Sequence, residues 1–156
     1  MASRQAHEVE QTPRRPRAPV ILGLDVGERR IGVAITDPGE SFSLPLRTID
    51  RTDSLHDDLE TILAIVREYG ATAIVVGDPV SLSGERGIAA QKMDAFVAVL
   101  AKAFGGAIER VDERMTTAQV TRTLVDADVS RKKRKRVVDQ LAAALILDSY
   151  LARRRR

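Results

Sequence analysis

The amino-acid sequence predicts an α/β fold: one mixed five-stranded sheet, antiparallel on one side and parallel on the other, with helices on both faces. Three observations carry that expectation. Apolar runs of period two follow one another over residues 20–46 with no helical segment between them. Beyond residue 54, apolar positions recur at helical spacing instead. From there short apolar runs alternate with helical ones, which implies right-handed parallel crossovers and helices above and below the sheet.

Residues 1–18 are polar, rich in Arg and Pro and without periodicity, and read as a disordered basic tail. A strand is expected over 20–26, a short loop at Gly27 to Arg30, and a second strand over 31–36. The run Phe42-Ser43-Leu44-Pro45-Leu46 alternates, but Pro45 cannot donate to a ladder, so this strand belongs at an edge. Three strands in succession make an antiparallel meander. Leu55, Leu59, Ile62, Leu63 and Val66 then share one helical face, with Gly70 as the stop. A strand over Ala73 to Val76 ends at Gly77. The next helix carries Met93, Phe96, Val97, Leu100 and Phe104 on one stripe and stops at Gly105-Gly106. A strand from Ala107 to Asp112 leads to Glu113, and Thr116 with Gln119 forms a capping-box pattern for a short helix to about Val125. After a basic run, a last helix is expected over about 137–151, then a basic tail at 153–156. Residues 19–152 thus form one domain, with no internal repeat or linker.

Composition narrows the function classes. A chain of 156 residues suffices for one domain with its own core. With 44% hydrophobic and 30% charged residues it has the balance of a soluble globular domain. No apolar stretch approaches the roughly 18 residues of a membrane span, and Met1 to Pro19 holds no apolar segment of the secretory kind. Cysteine is absent, which excludes disulfides and thiolate metal sites and fits a cytoplasmic location. The formal charge is +3, yet Arg131-Lys132-Lys133-Arg134-Lys135-Arg136 and Arg153 to Arg156 gather positive charge in the last quarter. Such runs are commonly a solvated face or loop, but beside an acidic site they suit phosphate backbones. Aromatics are 3% with no Trp, so base stacking is not expected to dominate recognition.

Three acids stand where a carboxylate is hard to justify without a cation. Asp25 interrupts the apolar run Val20 to Val26, Glu113 closes the last strand, and Asp139 sits in the apolar helical stretch Val137 to Leu151. A buried unpaired charge costs several kcal/mol, so it must be neutralised, hydrogen-bonded or held to a metal. A cluster of acids without His or Cys suits hard divalent cations. Each acid also has a plainer reading. Asp25 could cap the turn at Gly27; however, Gly23 on the same strand face leaves room beside it, which suits an approaching ligand. Glu113 could answer the dipole of the helix near Thr116, and Asp112, on the opposite strand face, could turn inward in its place. Asp139 could be a first-turn acid, although the stripe Asp139, Ala142, Ala143, Ile146, Tyr150 has alanines that let the helix lie close to the sheet. Asp78 precedes Pro79 in an ordinary turn position and is either a turn residue or a further acid near the metals. Arg29, Arg30 and Arg114 flank the acids and either hold phosphates or form surface ion pairs worth little. His7 and His56 show no partner pattern.

These residues resemble a known family. Gly23-Leu24-Asp25-Val26-Gly27-Glu28-Arg29-Arg30-Ile31-Gly32-Val33-Ala34 is similar to the opening signature of the YqgF, or RuvX, family of candidate Holliday junction resolvases. Ile74 to Pro79 with Gly84 and Gly87 resembles its second block, Asp112 to Ala118 its third, and Lys135 to Leu147 its fourth. The resemblance covers about 20–152 in order and spacing, and departs at Asp78, where the family usually carries an aliphatic residue.

The resemblance implies a ribonuclease H-like fold and a cytoplasmic, metal-dependent nuclease that matures the 5′ end of pre-16S ribosomal RNA, some members cleaving branched DNA. It implies Asp25, Glu113 and Asp139 as catalytic ligands of two Mg²⁺ or Mn²⁺ ions, about 3.5–4 Å apart in a two-metal site. Arg29, Arg30, Arg114, Lys132, Lys133, Lys135 and Arg136 would then bind the nucleic acid, in a monomer or a homodimer. Two other classes compete. Actin-like ATPases share the fold and an Asp-x-Gly element but need two such domains. A non-catalytic nucleic-acid-binding factor in ribosome assembly or transcription would have no use for acids facing a polyanion.

Overall fold

The computed structural model describes residues 19–79, 87–112 and 130–156. Five strands, β1 (Val20–Val26), β2 (Arg30–Thr36), β3 (Ser43–Asp50), β4 (Ala71–Asp78) and β5 (Ala107–Asp112), form one sheet in the order β3-β2-β1-β4-β5. The pairs β1–β2 and β2–β3 are antiparallel, whereas β1–β4 and β4–β5 are parallel. The mixed sheet read from the sequence is the sheet observed.

The meander runs down to the edge strand β3, which is longer than its apolar pattern suggested. Arg47 to Asp50 is polar, but an edge strand is mostly exposed and needs only Ile49 inside. Pro45 falls beside a register shift in the β2–β3 ladder, where a missing N–H is tolerated.

Among the described residues, two helices cover one face. Helix α1 (Leu55–Tyr69) begins at Ser54, whose hydroxyl accepts from the Asp57 N–H at 3.2 Å, and ends at Gly70 in the left-handed region with φ 69°. Helix α2 (Ile88–Phe104) ends on Gly105 in the same way, with φ 71°. Leu59, Ile62, Met93, Phe96 and Leu100 from these helices pack on Leu22, Leu24, Ile31, Val33, Ile74 and Val76. Full burial of each large side chain contributes roughly 1.5–3 kcal/mol.

On the other face the long helix α3 (Arg131–Arg154) lies across Ile21, Ala34, Val75 and Val111 with Ala143, Ala144, Ile146 and Leu147. Its bounds differ from the sequence reading at both ends. The basic run Arg131 to Arg136 is not a loop but the first turn and a half of the helix, since Lys and Arg are good helix formers even without apolar periodicity. Arg153 and Arg154, assigned to a tail, form its last turn. There Arg154 pairs with Glu40 at 2.7 Å, and Arg153 donates to the Arg110 carbonyl at 3.3 Å. The tail at 1–18 and the helix near Thr116 lie outside the described residues.

Candidate active site

Asp25 stands at the carboxyl end of β1, half-buried, with Gly32 of β2 as its cross-strand partner. Directly opposed residues of an antiparallel pair point to the same face. On that face a β-carbon at Gly32 would meet the Asp139 carbonyl oxygen at 1.8 Å. The backbone of α3 at Asp139 therefore rests on β2 without an intervening side chain, and Asp25 and Asp139 share one face over adjoining strands. Two residues along β1, a β-carbon at Gly23 would lie 2.5 Å from Leu147. The space at Gly23 thus belongs to a helix side chain and not to a ligand, which corrects the sequence reading. Gly23 and Gly32 cut a seat in the sheet, and Ala142, Ala143 and Ala144 let the helix sink into it.

Asp139 receives a hydrogen bond from Arg30 Nε at 2.7 Å, with the two side chains 18% and 29% exposed. Arg30 opens β2, and its carbonyl accepts from the Gly27 N–H at 2.9 Å, which closes the turn after Asp25. That turn has a support the sequence reading missed. Arg51 donates from Nη1 to the Gly27 carbonyl at 2.9 Å and from Nε to Asp58 at 3.2 Å. Burial pushes the Asp58 carboxyl up, but the Thr52 N–H and hydroxyl and the Arg51 guanidinium outweigh it and hold the group below its ordinary range. An acid on the buried face of α1 was the available signal.

The remaining predicted residues divide. Glu113 and Arg114 lie outside the described residues. Arg29 is exposed beside the turn. Asp78 closes β4 two residues after Val76 and, by strand alternation, faces α1 and α2, opposite to Asp25. It pairs there with Arg110 Nη2 at 3.0 Å, while Arg110 Nη1 reaches Asp94 of α2 at 2.7 Å. Asp112 follows Val111, which packs under α3, and so alternates to the Asp78 side. Lys132, Lys133 and Lys135 are exposed along the first turns of α3. Arg136 instead clasps both oxygens of Asp50, at 2.9 and 3.1 Å, and the Thr48 hydroxyl donates to the Arg136 carbonyl at 2.7 Å. It docks the helix on β3.

Among the described residues no three His, Cys, Asp or Glu side chains gather as a metal site. The two acids that share the face supply hard oxygen donors in partly exposed positions, a set that suits Mg²⁺ or Mn²⁺ rather than a softer metal.

Residues 19–153 match the family model described as RuvX, Holliday junction resolvase. A protein of Desulforudis audaxviator named as a candidate pre-16S rRNA nuclease is 44% identical over 135 residues, which cover 86% of this chain and 95% of that one. A protein of the same name from Thermoanaerobacter pseudethanolicus is 46% identical over 132 residues, 84% of this chain and 94% of the other. Among solved structures, T. thermophilus RuvC in complex with a Holliday junction substrate aligns with a TM-score of 0.51 at 16% identity, over 86% and 95% of the two chains. The yeast mitochondrial Holliday junction resolvase gives 0.52 at 12%, over 86% and 78%. At such identities these two establish the fold, which is ribonuclease H-like.

Proposed function

Because the chain belongs to the RuvX family of Holliday junction resolvases, we propose that it is a metal-dependent nuclease that hydrolyses phosphodiester bonds in the 5′ leader of pre-16S ribosomal RNA. The observation that carries the reading is the seat at Gly32, which brings Asp139 to the face and strand end of Asp25. In an open α/β sheet that is where ligands gather. The relatives' name supports the RNA substrate, and the likeness to resolvases supports branched DNA as a second one.

In this reading Asp25, Asp139 and Glu113 would hold Mg²⁺ or Mn²⁺, which would supply Lewis acidity for phosphodiester hydrolysis. Asp25 and Asp139 approach from different elements, so the seat of α3 fixes their separation. Arg29, Arg30 and Arg114 orient the scissile phosphate, Arg being suited to two-point contact. Lys132, Lys133 and Lys135 grip neighbouring phosphates without reading sequence. Arg136 serves by docking α3. A cytoplasmic location and a single copy acting on RNA complete the proposal; a symmetric junction would need two copies and hence two sites.

The test is purified protein with Mg²⁺ or Mn²⁺ on labelled pre-16S leader and on a four-way junction, beside Asp25→Asn. Cleavage that requires the metal is expected, reduced by on the order of a hundredfold or more in the variant, while nucleic-acid binding persists or tightens as repulsion falls. No cleavage of either substrate, or a variant cutting at the native rate, rules the reading out.

A further inference from the structure

We propose that Arg30 is an exchangeable counter-ion, which neutralises Asp139 until a divalent cation takes that carboxylate and then turns to the phosphate of the nucleic acid. The inference rests on the reading of Asp139 as a metal ligand. It begins with the 2.7 Å contact between Arg30 Nε and Asp139 Oδ2, both side chains more than two-thirds buried. A partly buried carboxylate needs a positive partner, and Arg30 supplies one. A divalent ion at the same oxygens makes that partner redundant and repels it.

The geometry allows an exchange rather than a loss. The Arg30 backbone is fixed by the Gly27–Arg30 turn bond at 2.9 Å and by β2 pairing with Asp50. The side chain is the mobile part, long enough to leave Asp139 without leaving the site. Its contact with Asp139 runs through Nε, and a guanidinium carries five donors in a planar fork, so it is equipped to turn to a phosphate oxygen. A neighbouring clasp of α3, Arg136 with Asp50, is far more exposed, at 49% and 67%, and lies on β3 away from Asp25.

This arrangement couples the two ligands. Without nucleic acid Arg30 competes with the metal. With nucleic acid the displaced guanidinium gains a phosphate, so metal and nucleic acid strengthen each other, equally in both directions.

The experiment measures Mn²⁺ affinity of the nucleic-acid-free protein by calorimetry, and binding of a leader oligonucleotide with and without Ca²⁺, for wild type, Arg30→Gln, Arg30→Lys and Asp139→Asn. Removing the competing charge should tighten Mn²⁺ by about threefold to tenfold in Arg30→Gln. Arg30→Lys, which keeps the charge, should stay near wild type. Ca²⁺ should tighten oligonucleotide binding in wild type and have less effect in Arg30→Gln. If Arg30→Gln does not fold by circular dichroism, Arg30→Met, which keeps the aliphatic stem, gives the same comparison. Unchanged or weaker Mn²⁺ affinity in the folded neutral variant, or equal tightening in Arg30→Lys, overturns the exchange. If Asp139→Asn binds Mn²⁺ as wild type does, the metal reading itself fails; if Asp139→Asn loses Mn²⁺ while Arg30→Gln is unaltered, only the exchange fails.

Discussion

The Asp139 carbonyl oxygen occupies the place where a β-carbon on Gly32 would stand, 1.8 Å from that position. The obstructing atoms are backbone on both sides, so neither strand nor helix can yield by a rotamer change. Gly32→Ala should therefore lift α3 off β2 and cost about 3 kcal/mol or more, at the upper end of overpacking. Thermal melting checks it, with Gly87→Ala as a control, since none of the described residues lies within 4 Å of the added carbon there and about 1 kcal/mol or less is expected.

The exposed cations of α3 give a second test. Neutralising Lys132, Lys133 and Lys135 together should weaken binding across sequences and flatten the slope of log affinity against log salt, by about 0.7–0.9 for each phosphate that is no longer neutralised. Arg136→Gln should behave differently, lowering stability through the loss of Asp50 as a partner and changing the slope little. An unaltered slope in the triple variant would show those lysines to be a solvated helix face.

Asp78→Leu should leave the metal requirement for half-maximal cleavage where it is, because Asp78 faces α2 and not Asp25. It should also cost about 1 kcal/mol of stability, since Arg110 would keep only Asp94 as a carboxylate partner among the described residues. A metal titration beside a urea melt separates the two effects. A shifted metal requirement would return Asp78 to the cation site.

Acid should unfold the protein partly through Asp58. Its folded carboxyl lies below the ordinary aspartate range, so its contribution is complete above that range and is lost as pH falls through the folded value. Asp58→Asn should therefore be less stable at pH 7, by about 2 kcal/mol for a buried group deprived of charge-assisted bonds, and less sensitive to further acidification. Urea melts at pH 7 and pH 3 test this. Asp37, which accepts from the Phe42, Ser41 and Gly39 N–H groups, is lowered too and adds to the acid sensitivity in the same direction.

The sheet was legible because period two and period three-and-a-half are local signals, and Gly27, Gly70 and Gly105 punctuate them. The end of β3 and the start of α3 were not, because Arg47 to Asp50 and Arg131 to Arg136 carry no apolar period. Asp25 and Asp139 stood out as charges in apolar runs. What joins them did not: Arg30 and Asp139 are 109 residues apart, and the partner of Gly32 is a backbone atom of no particular residue type. Sequence alone offered Gly23 as open space because nothing local says that Leu147 fills it. The parity of β4 does place Asp78 opposite to Asp25, but only once the register with β1 is known.

Helix α3 carries its exposed lysines and Asp139 on one covalent rod. Lys132, Lys135 and Asp139 fall within a narrow arc, spaced three and four residues apart. Each added residue turns what precedes it by about 100° and shifts it about 1.5 Å. Length is therefore constrained more tightly here than chemistry. Swapping Lys for Arg along these turns preserves the alignment, whereas inserting one alanine between Arg136 and Asp139 would swing the lysines, and Arg136 away from Asp50, around the rod while leaving the seat at Asp139 in place. Natural variation in this stretch should accordingly be rich in substitutions and nearly empty of insertions and deletions.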